Sequence, residues 1–143
     1  MKNLIFLFVL FVFTISISAQ KEIVPAKVKD AFAKLYPNAK SVKWSMESKT
    51  EYEAEFKNDN RAASVNFNKT GKLIETEIDI AKNELPSGVE KYISENFAGW
   101  TINEMSKVID AKSTIAFELQ IKKDGTKKDL VFDKDGELRK VEK

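Results

Sequence analysis

The chain has no cysteine and no histidine in its 143 residues. Without cysteine there is no disulfide framework, thiol nucleophile, iron–sulfur cluster or thiolate zinc site. Without histidine the commonest general base and metal ligand is missing, and a Ser-His-Asp triad is impossible. A surplus of one charge is missing too. The 24 basic and 22 acidic residues leave a formal charge of +2, which argues against a nucleic-acid binder driven by counterion release. What is present, 43% hydrophobic and 32% charged residues, is the composition of a globular domain.

Only one long apolar run occurs. Met1-Lys2-Asn3 is a short basic start, Leu4 to Ile17 is almost wholly apolar, and Ser18-Ala19-Gln20 is small and then polar. That is the pattern of a secretory signal peptide, expected to span residues 1–19. As a helix the 14-residue run is about 21 Å long, short of the roughly 30 Å core of a bilayer. The chain is therefore expected to be periplasmic or secreted, with no stable membrane anchor once the signal is removed.

The remainder reads as one unit written twice. Val24-Pro25 and Leu85-Pro86 open two segments offset by 61, in which Val28, Phe32 and Tyr36 match Val89, Ile93 and Phe97. Further on, Tyr52-Glu-Ala54-Glu-Phe56 matches Phe117-Glu-Leu119-Gln-Ile121. Val65-Asn-Phe67 through Gly71-Lys-Leu73 matches Leu130-Val-Phe132 through Gly136-Glu-Leu138, now at an offset of 65. Each copy starts with a period of 3.6: Val28, Ala31, Phe32 and Leu35 in one, Val89, Tyr92, Ile93 and Phe97 in the other. Pro25 suits a first helical turn, Pro37 stops the first helix, and Ser87 with Glu90 reads as a capping box.

After each helix the period becomes two. Tyr52, Ala54 and Phe56 alternate with three glutamates; Ile74, Thr76 and Ile78 alternate with Glu75, Glu77 and Asp79; Ile115, Phe117, Leu119 and Ile121 alternate most clearly. Ile102 and Met105 have opposite parity, which a bulge would reconcile. Asn58-Asp59-Asn60 and Lys123-Asp124-Gly125 suit tight hairpins, and Asn68 to Gly71 and Asp133 to Gly136 suit turns closed by glycine. The expected fold is α+β: two tandem repeats, at 23–80 and 85–142, each one helix packed on a four-stranded antiparallel sheet. The two sheets would sit side by side or run on from each other.

Glu51, Glu53 and Glu55 point away from the core side of one strand, and Glu75, Glu77 and Asp79 do so on another. If the strands are neighbours, they form an acidic patch. Such a patch suits docking of a basic partner or a weak divalent-cation site built from hard oxygen ligands. It equally suits a solvated sheet face whose charge discourages edge-to-edge aggregation. Trp44 shares the parity of Val42 and Met46 and reads as core. Trp100, just after Gly99, is either an interface anchor or packed against the helix end. Lys122, Lys123, Lys127 and Lys128 flank a hairpin turn, as a solvated tip or as an attraction for an acidic partner or anionic surface. Asp133-Lys-Asp135-Gly136 resembles the start of a calcium loop, but Leu138 and Lys140 are not oxygen ligands, and a turn accounts for it.

Tyr36-Pro-Asn-Ala-Lys-Ser-Val-Lys-Trp44, Tyr52-Glu-Ala-Glu-Phe56 and Val65-x-Phe67-x-x-x-Gly71-Lys-Leu73, in a duplicated and exported chain, resemble the PepSY-like, beta-lactamase-inhibitor-like family of the Bacteroidota. The resemblance covers residues 23–142 and implies helix-plus-sheet units in tandem and a non-enzymatic binding role. The expected function is an exported binding module, an inhibitor or interaction protein of the cell envelope. Its unknown protein or peptide partner would meet Glu51, Glu53, Glu55, Glu75, Glu77 and Trp100. The alternative is a sensory protein that binds a small molecule or divalent cation. No catalytic residue, cofactor, resident metal or nucleic-acid partner is expected.

Overall fold

The computed structural model describes residues 23–142, so the signal expected at 1–19 lies outside the described residues. Helix α1 (Ala26–Leu35) is followed by strands β1 (Lys40–Ser48), β2 (Glu51–Asn58), β3 (Arg61–Asn68) and β4 (Leu73–Asp79). A single 3-10 turn at Lys82–Glu84 leads to α2 (Ser87–Asn96), and then to β5 (Thr101–Asp110), β6 (Ile115–Lys123), β7 (Thr126–Asp133) and β8 (Leu138–Glu142). The class is α+β, as expected. Of the two sheet arrangements expected, side by side or running on, the structure shows the second. All eight strands form one antiparallel sheet in the order β1 to β8, rather than a separate four-stranded sheet per half. The halves run on because β4 pairs with β5, with Glu75 opposite Asp110 and Asp79 opposite Ser106.

Both helices are ten residues long, too short to be stable alone in water. Packing holds them on one face of the sheet. Val28 and Phe32 of α1 join Ala54, Phe56, Val65 and Phe67 in one buried cluster. Val89 and Ile93 of α2 join Leu119, Ile121, Leu130 and Phe132 in another. Phe32, Trp44 and Phe56 meet edge to face, with ring centroids 5.1–5.3 Å from Phe32, a favoured aromatic geometry. Trp44 is thus core, as its parity indicates. Pro25 and Pro86 occupy the N-caps themselves, and no side chain caps either helix. The capping box expected at Ser87 and Glu90 is therefore absent, because Ser87 is already the first helical residue. Tyr36, forced from helical geometry by Pro37, ends α1 at φ −129°.

The turns follow the sequence closely. Asp59 and Asn60 both take positive φ between the paired residues Asn58 and Arg61, and Asp124 with Gly125 does the same between Lys123 and Thr126. At the β3–β4 turn the Asn68 side chain accepts the amides of Thr70 and Lys72, at 2.9 and 3.0 Å. At the β7–β8 turn Asp133 accepts those of Asp135 and Glu137, both at 2.9 Å. Asp133 is thus occupied as a turn former, as the turn reading of that segment requires.

Three register shifts matter. One lies between Ile102 and Glu104, where the parity conflict calls for a bulge. Another, between Lys40 and Lys43, includes Ser41 at φ 56°. The third lies between Asn66 and Phe67, which places Leu73 opposite Phe67 and leaves Ile74 as the extra residue on β4. Ile74 then lines the face away from the helices, not the core face its simple alternation predicts.

Candidate functional site

The strand alternation that sends Tyr52, Ala54 and Phe56 under α1 sends Glu51, Glu53 and Glu55 to the other face. Cross-strand register carries that face across the sheet. Glu53 lies opposite Asn66 and Glu55 opposite Ser64; Asn66 lies opposite Glu75 and Ser64 opposite Glu77. Glu77 lies opposite Val108, and Glu104 opposite Gln120, which in turn pairs with Asp129. The face is concave. It encloses an open trough of about 1260 Å³, lined by residues from β1 through β7.

Glu51, Glu53, Glu55, Glu75 and Glu77 all line this trough, and so does Asp79. The structure puts the five expected glutamates on one face, although the two strands that carry them are not neighbours: β3 lies between them. It does not bring Trp100 to them. Trp100 is packed with Phe97 on the helix side, centroids 6.0 Å apart, against the second core cluster. Sequence reasoning missed several further members. Glu47 and Asp110 line the trough, as do Glu104 and Glu118. Glu118 and Asp129 are only 7% and 3% exposed. The parity of β6 was the available signal, since Glu118 and Gln120 alternate with Phe117, Leu119 and Ile121. A small apolar cluster of Val108, Ala116 and Val131 is buried among these polar groups.

Burial and crowding make these carboxylates reluctant to ionise. Burial pushes Glu47 up, and the charges of Glu53, Glu51 and Glu75 push it further. Burial raises Glu53, against the hydrogen bond that Ser45 donates at 3.2 Å. Glu75 is raised by burial and by Glu51, Asp110 and Glu53, although Asn66 Nδ2 donates to it at 3.4 Å. Glu77 is raised chiefly by burial, opposed by a hydrogen bond from Ser106 and aided by Glu75 and Asp79. Asp79 is raised by burial and by Glu104. The Oδ1 atom of Asn66, in the middle of the trough, is buried without a hydrogen-bond partner. A desolvated row of like charges lowers its own energy when a cation approaches. The row is spread across several strands, and among the described residues no group of three or more acidic side chains could hold a metal ion.

A family model described as "Putative beta-lactamase-inhibitor-like, PepSY-like" matches residues 14–75 and again residues 50–140. The two matches span most of the chain. The chain belongs to this family. Several solved structures share its fold. A "putative periplasmic" protein of Bacteroides eggerthii is 22% identical, with a TM-score of 0.77 over 85% of this chain and 89% of that one. A DUF2874 family protein of Bacteroides ovatus is 26% identical, with a TM-score of 0.74 over 84% and 87%. A BLIP-like protein of Bacteroides fragilis is 27% identical, with a TM-score of 0.71 over 85% and 88%. No curated protein matches the chain. Among the described residues no helix is long and apolar enough to cross a membrane.

Proposed function

We propose that this PepSY-like protein is an exported, non-enzymatic binding module whose concave sheet face receives a cationic segment of a protein or peptide. One observation carries the reading: five trough carboxylates, Glu47, Glu53, Glu75, Glu77 and Asp79, are all pushed above their ordinary range by burial and by neighbouring carboxylates. Lysine or arginine side chains laid along the trough would relieve that repulsion, and the Asn66 carbonyl oxygen would accept one of their hydrogen bonds. The convex face is already covered by α1 and α2, so the concave face is the broad sheet surface left open. The BLIP-like description of the Bacteroides fragilis structure supports binding over catalysis. The absence of cysteine and histidine from the sequence narrows the catalytic options in the same direction.

The same reading takes residues 1–19 as an export signal and the ranges 23–80 and 85–142 as two copies of one helix-plus-meander unit. The matched cores support the duplication: Val28, Phe56, Val65 and Phe67 occupy the places held by Val89, Ile121, Leu130 and Phe132. The bulges support it as well. The shift at Asn66/Phe67 recurs at Val131/Phe132, and the shift at Lys40/Lys43 recurs at Ile102/Glu104.

The test is photo-crosslinking in the native cell envelope. One crosslinker replaces Ser64 in the trough and another replaces Ser94, exposed on α2. The reading expects a saturable adduct from position 64 alone, on a Lys- or Arg-rich segment, lost in the Glu53→Lys/Glu75→Lys variant. The same diffuse adducts from both positions would overturn it.

A further inference from the structure

The β6–β7 hairpin carries a second, oppositely charged surface. Lys122 and Lys127 sit directly opposite each other across the hairpin, and Ile121 lies opposite Lys128. Like charges at opposed positions work against strand pairing, so strand pairing gives no reason for the Lys122–Lys127 pair. Among the described residues neither lysine makes an ion pair. The only acid between Lys122 and Lys128 is Asp124, in the turn. The tip projects into open space, since a side chain at Gly125 would meet nothing within 4 Å.

The four ammonium groups do not converge. Lys122 and Lys127 lie on the trough side. On the helix side Lys123 Nζ donates to the Ala98 carbonyl at 3.4 Å. Lys128 Nζ lies over the rings of Phe97 and Trp100, 5.9 and 5.5 Å from their centroids. Converging cations would grip one carboxylate or phosphate. Cations splayed around a convex tip fit a broad sheet of negative charge, and a partly buried tryptophan at the base suits a lipid headgroup boundary. We infer that the Lys122–Lys128 hairpin, with Trp100 at its base, docks reversibly on an anionic phospholipid surface. This site adjoins the trough, which Lys127 also lines, and gives Trp100 a role that the trough does not.

The experiment is co-sedimentation of the full chain with vesicles of phosphatidylcholine alone, or of phosphatidylcholine with phosphatidylglycerol. The neutral vesicles account for any binding by the apolar Leu4–Ile17 run. In a Trp44→Phe background, Trp100 emission reports the contact. Excess binding to anionic vesicles is expected, abolished by high salt and accompanied by a blue shift. Each lysine removed should weaken partition about five-fold, so Lys122→Ala/Lys127→Ala should weaken it about 25-fold, at a thermal midpoint no lower than that of the unaltered chain because the opposed charges are gone. Equal binding to both vesicles, or an unaffected double variant, would overturn the inference. So would binding to polyglutamate without binding to anionic vesicles, which would make an acidic protein the partner.

Discussion

Replacing Gly71 by alanine should cost far more stability than the same change at Gly136, although the two glycines close equivalent turns. Both sit at nearly the same left-handed angle, φ +81° and +82°. The conformational penalty for a Cβ there is therefore common to both, about 1–2 kcal/mol. The surroundings differ. A Cβ on Gly71 would lie 2.6 Å from the backbone oxygen of Lys27 in α1, a contact that real Cβ atoms essentially never make. A Cβ on Gly136 would lie 3.1 Å from the Pro86 side chain, which needs to give by only a few tenths of an ångström. Forcing the β3–β4 turn off the helix adds an overpacking cost of about 1–3 kcal/mol. Gly71→Ala should thus lose about 2–5 kcal/mol, and Gly136→Ala about 1–2 kcal/mol. Urea unfolding with unchanged slope measures the difference directly. Equal losses at the two positions would refute the claim that the first turn is seated against the α1 backbone.

Stability should rise on mild acidification. The raised trough carboxylates hold more protons in the folded chain than in the unfolded one, so stability falls as pH climbs through the window above the ordinary carboxylate value and returns as pH drops through it. Asp110 and Asp133 act the other way. Burial opposes ionisation at Asp110, but the amides of Thr114 and Lys112 outweigh it, and the Glu137 amide holds Asp133 low. Their contribution is lost only below the ordinary value, so thermal midpoints should peak near pH 4–5, at about the unperturbed carboxylate range. A midpoint that falls steadily from pH 8 to 5 would contradict this. Glu77→Gln should raise the midpoint at pH 7 and flatten the profile, because the buried charge goes while an acceptor for Ser106 stays. Phe67→Ala and Phe132→Ala, both at 0% exposure, should each lose about 3–5 kcal/mol in chemical denaturation. Tyr36→Phe should lose about 1 kcal/mol, through the 2.9 Å hydrogen bond shared with the buried Thr76 hydroxyl.

Much of the fold was legible because local chemistry and tertiary demand agree. Alternation in Tyr52–Phe56 and Ile115–Ile121 marks strands whose inner rows are buried. Asp59-Asn60 and Asp124-Gly125 supply the positive φ that tight hairpins require. The clash of parity between Ile102 and Met105 announced a real bulge. Ile74 was misplaced because its bulge depends on how β4 registers against β3, which its own neighbours in sequence do not reveal. The helix starts were misread by one position, since Pro86 takes the cap that Ser87 was expected to fill.

The candidate site was legible by half. Parity alone put Glu51, Glu53, Glu55, Glu75 and Glu77 on one face. Whether the face is curved, and whether Glu104, Glu118 and Asp129 belong to it, depends on the β4–β5 pairing that joins the halves. Trp100 was grouped with the acids for its residue type, but the turn at Gly99 places it on the helix side, under Lys128.

The claim that the concave acidic face receives cationic segments is tested most directly by amide NMR during titration with a lysine-rich peptide. The account predicts shifts concentrated at Glu53, Ser64, Asn66, Glu75 and Glu77, and lost in the Glu53→Gln/Glu75→Gln variant. Shifts spread equally over the exposed carboxylates of α2, Glu90 and Glu95, would contradict it.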